Sequence, residues 1–131
     1  MTIQDKHAII IKRFKDNFST TPIAYENVEF KVDTDVDWVR LSVQNGDSNQ
    51  VSMGTPAVAN RFVGIIFVQI YTRAGRGTAT ALSIAQEVSD IWRNKQFDGI
   101  TCRAPDINHL GVEGSWFQIN VSCEFFYDEF Y

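Results

Sequence analysis

Apolar and polar positions change period from one stretch of the chain to the next, and each period implies an element. At the start, Ile3, His7, Ile10, Ile11, Phe14 and Phe18 recur at intervals of three and four. That spacing predicts an amphipathic helix over residues 2–18, with its lysines and arginine on the other face. Ser19-Thr-Thr-Pro22 ends it, because a proline pushes the residue before it out of the helical region. His7 sits inside the apolar stripe and reads as a packed histidine, having no partner at ligand spacing.

The middle of the chain switches to strand periods. Ile23, Tyr25, Val28 and Phe30 suggest an extended segment with a turn at Glu26-Asn27. Trp38 to Val43 alternates cleanly, with Val39, Leu41 and Val43 on one side and Trp38, Arg40 and Ser42 on the other. A polar run, Gln44 to Gln50, follows, and Asn45-Gly46 within it is a hairpin signal. The interval 44–60 is long for a connection in a small domain; such loops are functional, mobile or conceal a short strand. Arg61 to Tyr71 is almost continuously apolar and rich in β-branched and aromatic residues, which reads as a buried strand. Both its faces are apolar: Val63, Ile65, Phe67 and Tyr71 on one, Phe62, Ile66, Val68 and Ile70 on the other.

A glycine turn, Gly75-Arg-Gly77, leads to Thr78, a possible N-cap, and a second helix. Ala81, Ile84, Ala85, Val88, Ile91 and Trp92 form its apolar stripe. Gly99 to Arg103 reads as a short strand, 104–114 as a loop, and Trp116 to Tyr127 as a strand with the clearest alternation in the chain. Phe117, Ile119, Val121, Cys123, Phe125 and Tyr127 point one way; Gln118, Asn120, Ser122 and Glu124 point the other. The order α-β-β-β-α-β-β implies one α+β domain over residues 1–131. A small mixed or antiparallel sheet would carry both main helices on one face. The second face of the apolar strand then needs a cover: the 44–60 segment, a curled sheet, or another copy of the chain.

Composition narrows the function classes. With 131 residues, 44% apolar and 21% charged, the chain has the makeup of an ordinary globular domain. Sixteen acidic against twelve basic residues give a net charge of −4, which argues against a sequence-independent grip on nucleic acid. Lys12, Arg13 and Lys15, beside Asp5 and Asp16, read as a solvated helix face. Two cysteines, Cys102 and Cys123, are too few for a secreted disulfide scaffold and read as buried, reduced thiols. No secretory leader and no membrane-length apolar run stands out, so a protein made in a cytoplasm is expected.

Catalytic signals are weak. Gly75-Arg-Gly77 could hold an anion between a strand and a helix. Yet Thr80 stands where a dinucleotide fingerprint needs glycine, and no Gly-Lys-Ser/Thr follows. Asp106, His109 and Glu113 are three potential ligands in one presumed loop, without a fourth at matching spacing. The expectation is no catalytic residue, no metal and no cofactor.

One resemblance covers nearly the whole chain and rests on order and spacing rather than on a catalytic motif. Its pieces are the first helix, Thr21-Pro-Ile-Ala-Tyr-Glu-Asn-Val-Glu-Phe30, Asp37-Trp-Val-Arg-Leu-Ser-Val43 and Arg61 to Tyr71. They continue with Gly75-Arg-Gly-Thr-Ala-Thr-Ala-Leu82, Pro105-Asp-Ile-Asn108 and Gly114-Ser-Trp-Phe-Gln-Ile-Asn-Val-Ser122. In these the chain resembles the tail terminator, or tail-completion, proteins of long-tailed bacteriophages. The resemblance implies a non-enzymatic virion tail protein closing into a sixfold homo-oligomeric ring, made in the host cytoplasm. The ring would cap the tail tube, stop the tube protein from polymerising, and offer a surface to the head connector, with DNA passing through unbound. A head-to-tail ring uses two different patches per subunit. The two-faced strand, with Phe62 and Ile66, and the polar face of the last strand are candidates. Trp38, Arg40, Arg73 and Arg76 are added because Trp and Arg are enriched at such contacts. Alternatives are another head–tail joining or tube protein, or a small ligand-binding α+β domain using the glycine turn.

Overall fold

The computed structural model describes residues 2–33, 35–50 and 59–130. Its first helix, α1 (Ile3–Asn17), starts on a reciprocal cap. The Thr2 hydroxyl accepts from the Asp5 N–H and the Asp5 carboxylate accepts from the Thr2 N–H, both at 3.0 Å. Donation from the Thr2 N–H and hydroxyl holds the Asp5 carboxyl below its usual range. The inward stripe is Lys6, Ile10 and Phe14, with Phe18 buried just beyond the helix end. Lys6 is thus a correction to the expected polar face. It is 1% exposed, its Nζ donates to Asn45 Oδ1, and it lies 5.7 Å from the Phe125 ring centroid.

Strands β1 (Ile23–Tyr25), β2 (Trp38–Gln50) and β3 (Ala59–Arg73) come next, then α2 (Ala79–Trp92). The remaining strands are β4 (Gln96–Phe97), β5 (Ile100–Cys102), β6 (Asp106–Glu113) and β7 (Trp116–Phe130). They form one seven-stranded sheet in the order β1-β2-β3-β7-β5-β4, with β6 also paired to β7. Only β1 runs parallel to its neighbour; every other pairing is antiparallel. The sheet is open, and the fold is α+β as expected. β3 is the axis: it pairs with β7 from Ala59↔Phe130 to Arg73↔Trp116 and with β2 on its other side.

Register decides which side chains share a face. Ile66, Val68 and Ile70 of β3 stand opposite Val43, Leu41 and Val39 of β2 and Cys123, Val121 and Ile119 of β7. All nine are buried, and the two helices close over them with Ile10, Phe14, Ile84, Val88 and Trp92. Phe14 stacks on Trp92 at 5.8 Å and on Phe18 at 5.0 Å. Arg13 ties the two helices together by donating to the Ile91 carbonyl at 3.0 and 2.9 Å, with its guanidinium over Phe97. Gly64 leaves no room for a side chain between the neighbouring strands: a Cβ there would lie 2.5 Å from the Phe125 ring and 2.6 Å from the Gln44 carbonyl.

Three expectations about the connections are corrected. Residues 44–50 are not loop but the outer half of β2. Asn45-Gly46 is no turn; neither residue has positive φ, and the pairing with β3 slips by a bulge between Asn45 and Ser48. The rest of the expected 44–60 loop, residues 51–58, lies outside the described residues. Residues 104–114 hold β6, bulged between His109 and Gly111. Thr78 sits at the N-cap of α2, but its hydroxyl makes no capping bond. Cys102 and Cys123 are free and buried, as expected. Their mutual hydrogen bond, reinforced by burial, pushes the Cys102 thiol well up and keeps it protonated.

Candidate assembly surface

The helices occupy one side of the sheet, and among the described residues no helix covers the other. On that open side, β3 presents Val63, Ile65, Phe67, Gln69 and Tyr71. Polar rows flank them: Arg40, Ser42 and Gln44 from β2, and Gln118, Asn120, Ser122 and Glu124 from β7. An apolar stripe between two wettable borders is the pattern of an interface core with its rim. Val63 is 37% exposed; Ile65, Phe67 and Phe126 are half-buried.

Each end of the stripe is anchored by aromatic rings. At one end Trp38 stacks on Tyr71, with ring centroids 4.1 Å apart, and on Phe30 at 5.2 Å; Trp116 meets it edge-on. Arg40 lies over the same indole at 5.5 Å. At the other end Arg61 and Arg103 lie over Phe126 at 4.4 and 5.1 Å. Arg61 also grips Asp128 with two bonds of 2.9 and 3.1 Å, which hold the Asp128 carboxyl below its ordinary range.

The six residues singled out from sequence separate on the structure. Trp38 and Arg40 sit together on the open face. Arg73 ends β3, its backbone N–H donating to Asp37 and its guanidinium paired with Asp35 at 2.9 Å. Arg76 is exposed in the turn between β3 and α2, where Gly75 and Gly77 take φ of 85° and 77°. Phe62 points to the helix side and stacks on Tyr127. Ile66, 1% exposed, is inside the core beneath the helices, so its side chain is not available to a partner. β6 was missed altogether. Its Ile107, Leu110 and Val112 are 37%, 55% and 64% exposed along a sheet edge. The signal was present as Gly114-Ser115, a two-residue link between strands.

The other candidate chemistries find little support. A hollow of about 570 Å³ beside the first turns of α2 is lined by Asp35, Asp37 and Glu87, with Thr20, Thr80 and Ser83. Glu87 accepts from the Thr20 hydroxyl at 2.8 and 2.7 Å. Three carboxylates repel a phosphate, and Gly75 and Gly77 are not among the lining residues. Asp106, His109 and Glu113 all lie exposed on β6; among the described residues no group of three acidic, histidine or cysteine side chains is placed to hold a metal.

The geometry therefore defines an α+β protein whose helices lie on one side of the sheet and whose other side carries an apolar stripe between polar rows. Comparison with known proteins gives the family. Residues 7–125 match the model described as phage tail terminator protein, and the chain belongs to that family of structural virion proteins. It is a component of the phage tail. One solved structure, 18% identical over 100% of this chain and 98% of its own, superposes with a TM-score of 0.73, which shows the shared fold. No curated protein matches the chain.

Proposed function

We propose that this protein is the stopper of a growing tail tube. In this reading, residues 1–131 form one domain, and six copies close into a ring on the last layer of tube protein. The ring blocks further addition and presents its far side to the head-completion or connector protein. The observation that carries it is the open sheet face: an apolar stripe, Val63 to Tyr71, bordered by polar rows, in a chain of the tail terminator family. Arg40 at one end of that face, and Arg76 in the turn beyond β3, are the contact residues we favour; Trp38, 6% exposed beneath its aromatic neighbours, supports Arg40 from below. DNA passes through the lumen without specific binding, in keeping with a net charge of −4. The protein is made in the host cytoplasm and ends in the virion.

Negative-stain electron microscopy of the purified protein, alone and with tube ends, tests this. Six-membered rings, free or capping tubes, are expected; long homopolymeric tubes would point instead to a tube protein. A ligand-binding domain would show itself by a rise in melting temperature with a phosphate or nucleotide, and no rise is expected.

A further inference from the structure

We propose, resting on the ring reading above, that copies of this chain join head to tail through opposite edges of the sheet. An acidic strap on one copy seats against a basic groove on the next.

The strap is the connection from β1 to β2, at one end of the strand order. Between residues 26 and 37 it carries five carboxylates against the single cation Lys31. Four of the five are engaged within the chain: Glu26 accepts from the Val43 N–H, Asp33 from the Asp35 N–H, and Asp35 and Asp37 hold Arg73. Glu29 and Asp33 are left exposed, with no ion-pair partner among the described residues. Between the acids stand Val28, Val32 and Val36, at 60%, 42% and 39% exposure. A surface strap that alternates exposed valines with carboxylates offers both an apolar contact and a charge.

The groove lies at the other end of the strand order, between α1 and the β4–β5 hairpin. It holds about 170 Å³, with Ile9 and Phe97 as its apolar lining and Lys12 and Arg13 beside them. Asp16 and Asp98 also line it, and Asp16 already neutralises Lys12 at 2.8 Å. Beyond the lining, Lys15 on α1 and Arg93 and Lys95 on the link from α2 to β4 are exposed. The lining itself balances two cations against two carboxylates; Lys15, Arg93 and Lys95 on the same elements, against Asp90, tip this edge to positive, although the whole chain is negative.

Why a second copy should be the occupant follows from this segregation. A strap facing another strap, as in a two-fold dimer, would set like charges against each other, which costs several kcal/mol. A strap facing the groove sets opposite charges together, and both surfaces belong to this chain. Because the two lie at opposite edges of the sheet, each copy can use both at once, and repeating the step gives a ring or a filament. The apolar pieces supply the contact, and the charges set orientation and partner choice.

Charge reversal tests this without disturbing the core, since all four positions are exposed. One variant carries Glu29→Lys and Asp33→Lys; the other carries Lys15→Glu and Lys95→Glu. Each alone should need roughly a hundredfold higher concentration to form rings than the wild type. Mixed in equal amounts, the two should regain rings, because every joint in an alternating ring then pairs opposite charges. Light scattering and electron microscopy read the outcome, with circular dichroism confirming the fold. Unchanged assembly of either variant alone, or failure of the mixture to recover, overturns the edge assignment while leaving the ring in place. Absence of rings from wild-type protein, even with tube ends supplied, overturns the ring and the edge assignment together.

Discussion

The two faces of one sheet have been built for different ends. Under the helices, β2, β3 and β7 all contribute apolar side chains, and the layer is complete within the chain: Ile66, Val68 and Ile70 are between 0% and 1% exposed. On the open side the middle of the stripe comes from β3 alone, while β2 and β7 contribute polar rows there and aromatic rings only at the ends. A chain needing nothing but stability would have made β3 alternate as its neighbours do. The difference teaches that one apolar face of β3 is spent on folding, while the other is the one the proposed function assigns to contact with another protein.

Substitutions on the two faces should therefore have separable effects. The largest is expected beneath the helices. Trp92→Ala removes the largest fully buried side chain and its stacking on Phe14, at a cost of about 3–5 kcal/mol in denaturant unfolding. Gly64→Ala comes next: its methyl has no room between the Phe125 ring and the Gln44 carbonyl, and about 1–3 kcal/mol should be lost. On the open side, Phe67→Ser should cost less than Trp92→Ala in unfolding yet abolish capping of tube ends. A loss of stability equal to that of Trp92→Ala would contradict the division of labour between the faces.

Lys6 gives the smallest effect and the sharpest sign. Burial lowers its pKa in the folded protein, with a weaker opposing pull from Glu26. The unfolded chain, with lysine near about 10.4, then binds more protons than the folded one in the window below that pH. Stability relative to Lys6→Met should accordingly rise as pH climbs through that window. A fall, measured by urea unfolding across the same range, would show that the ammonium is favoured by its site rather than tolerated.

Much of this architecture could be read from side-chain periods, because burial on one side imposes them. Both helices and β3 sit within a residue or two of where their apolar stripes place them, and β7 starts as expected at Trp116 but runs three residues further, to Phe130. What escaped was structure held by backbone hydrogen bonds alone. The outer half of β2, Gln44 to Gln50, is polar and mostly exposed, so no alternation marks it. In β6 the bulge at His109–Gly111 shifts the phase midway, and an edge strand leaves both faces open to water. Gly46 carries a turn signal, yet its small size serves close packing against Val63, whose Cγ2 would lie 3.1 Å from a Cβ there. Two-residue links carried the missed information: Asp98-Gly99, with φ of 46° and 86°, closes the β4–β5 hairpin. The open face was legible in β3, but the aromatic stack of Phe30, Trp38, Tyr71 and Trp116 joins four distant positions that only the fold unites.

The most direct test of the stopping role is the length of tails assembled in infected cells lacking this gene. Electron microscopy should show tubes that overrun the normal length and carry no heads, with normal tails restored by the wild-type protein but not by Phe67→Ser. Tails of normal length joined to heads in its absence would contradict the account.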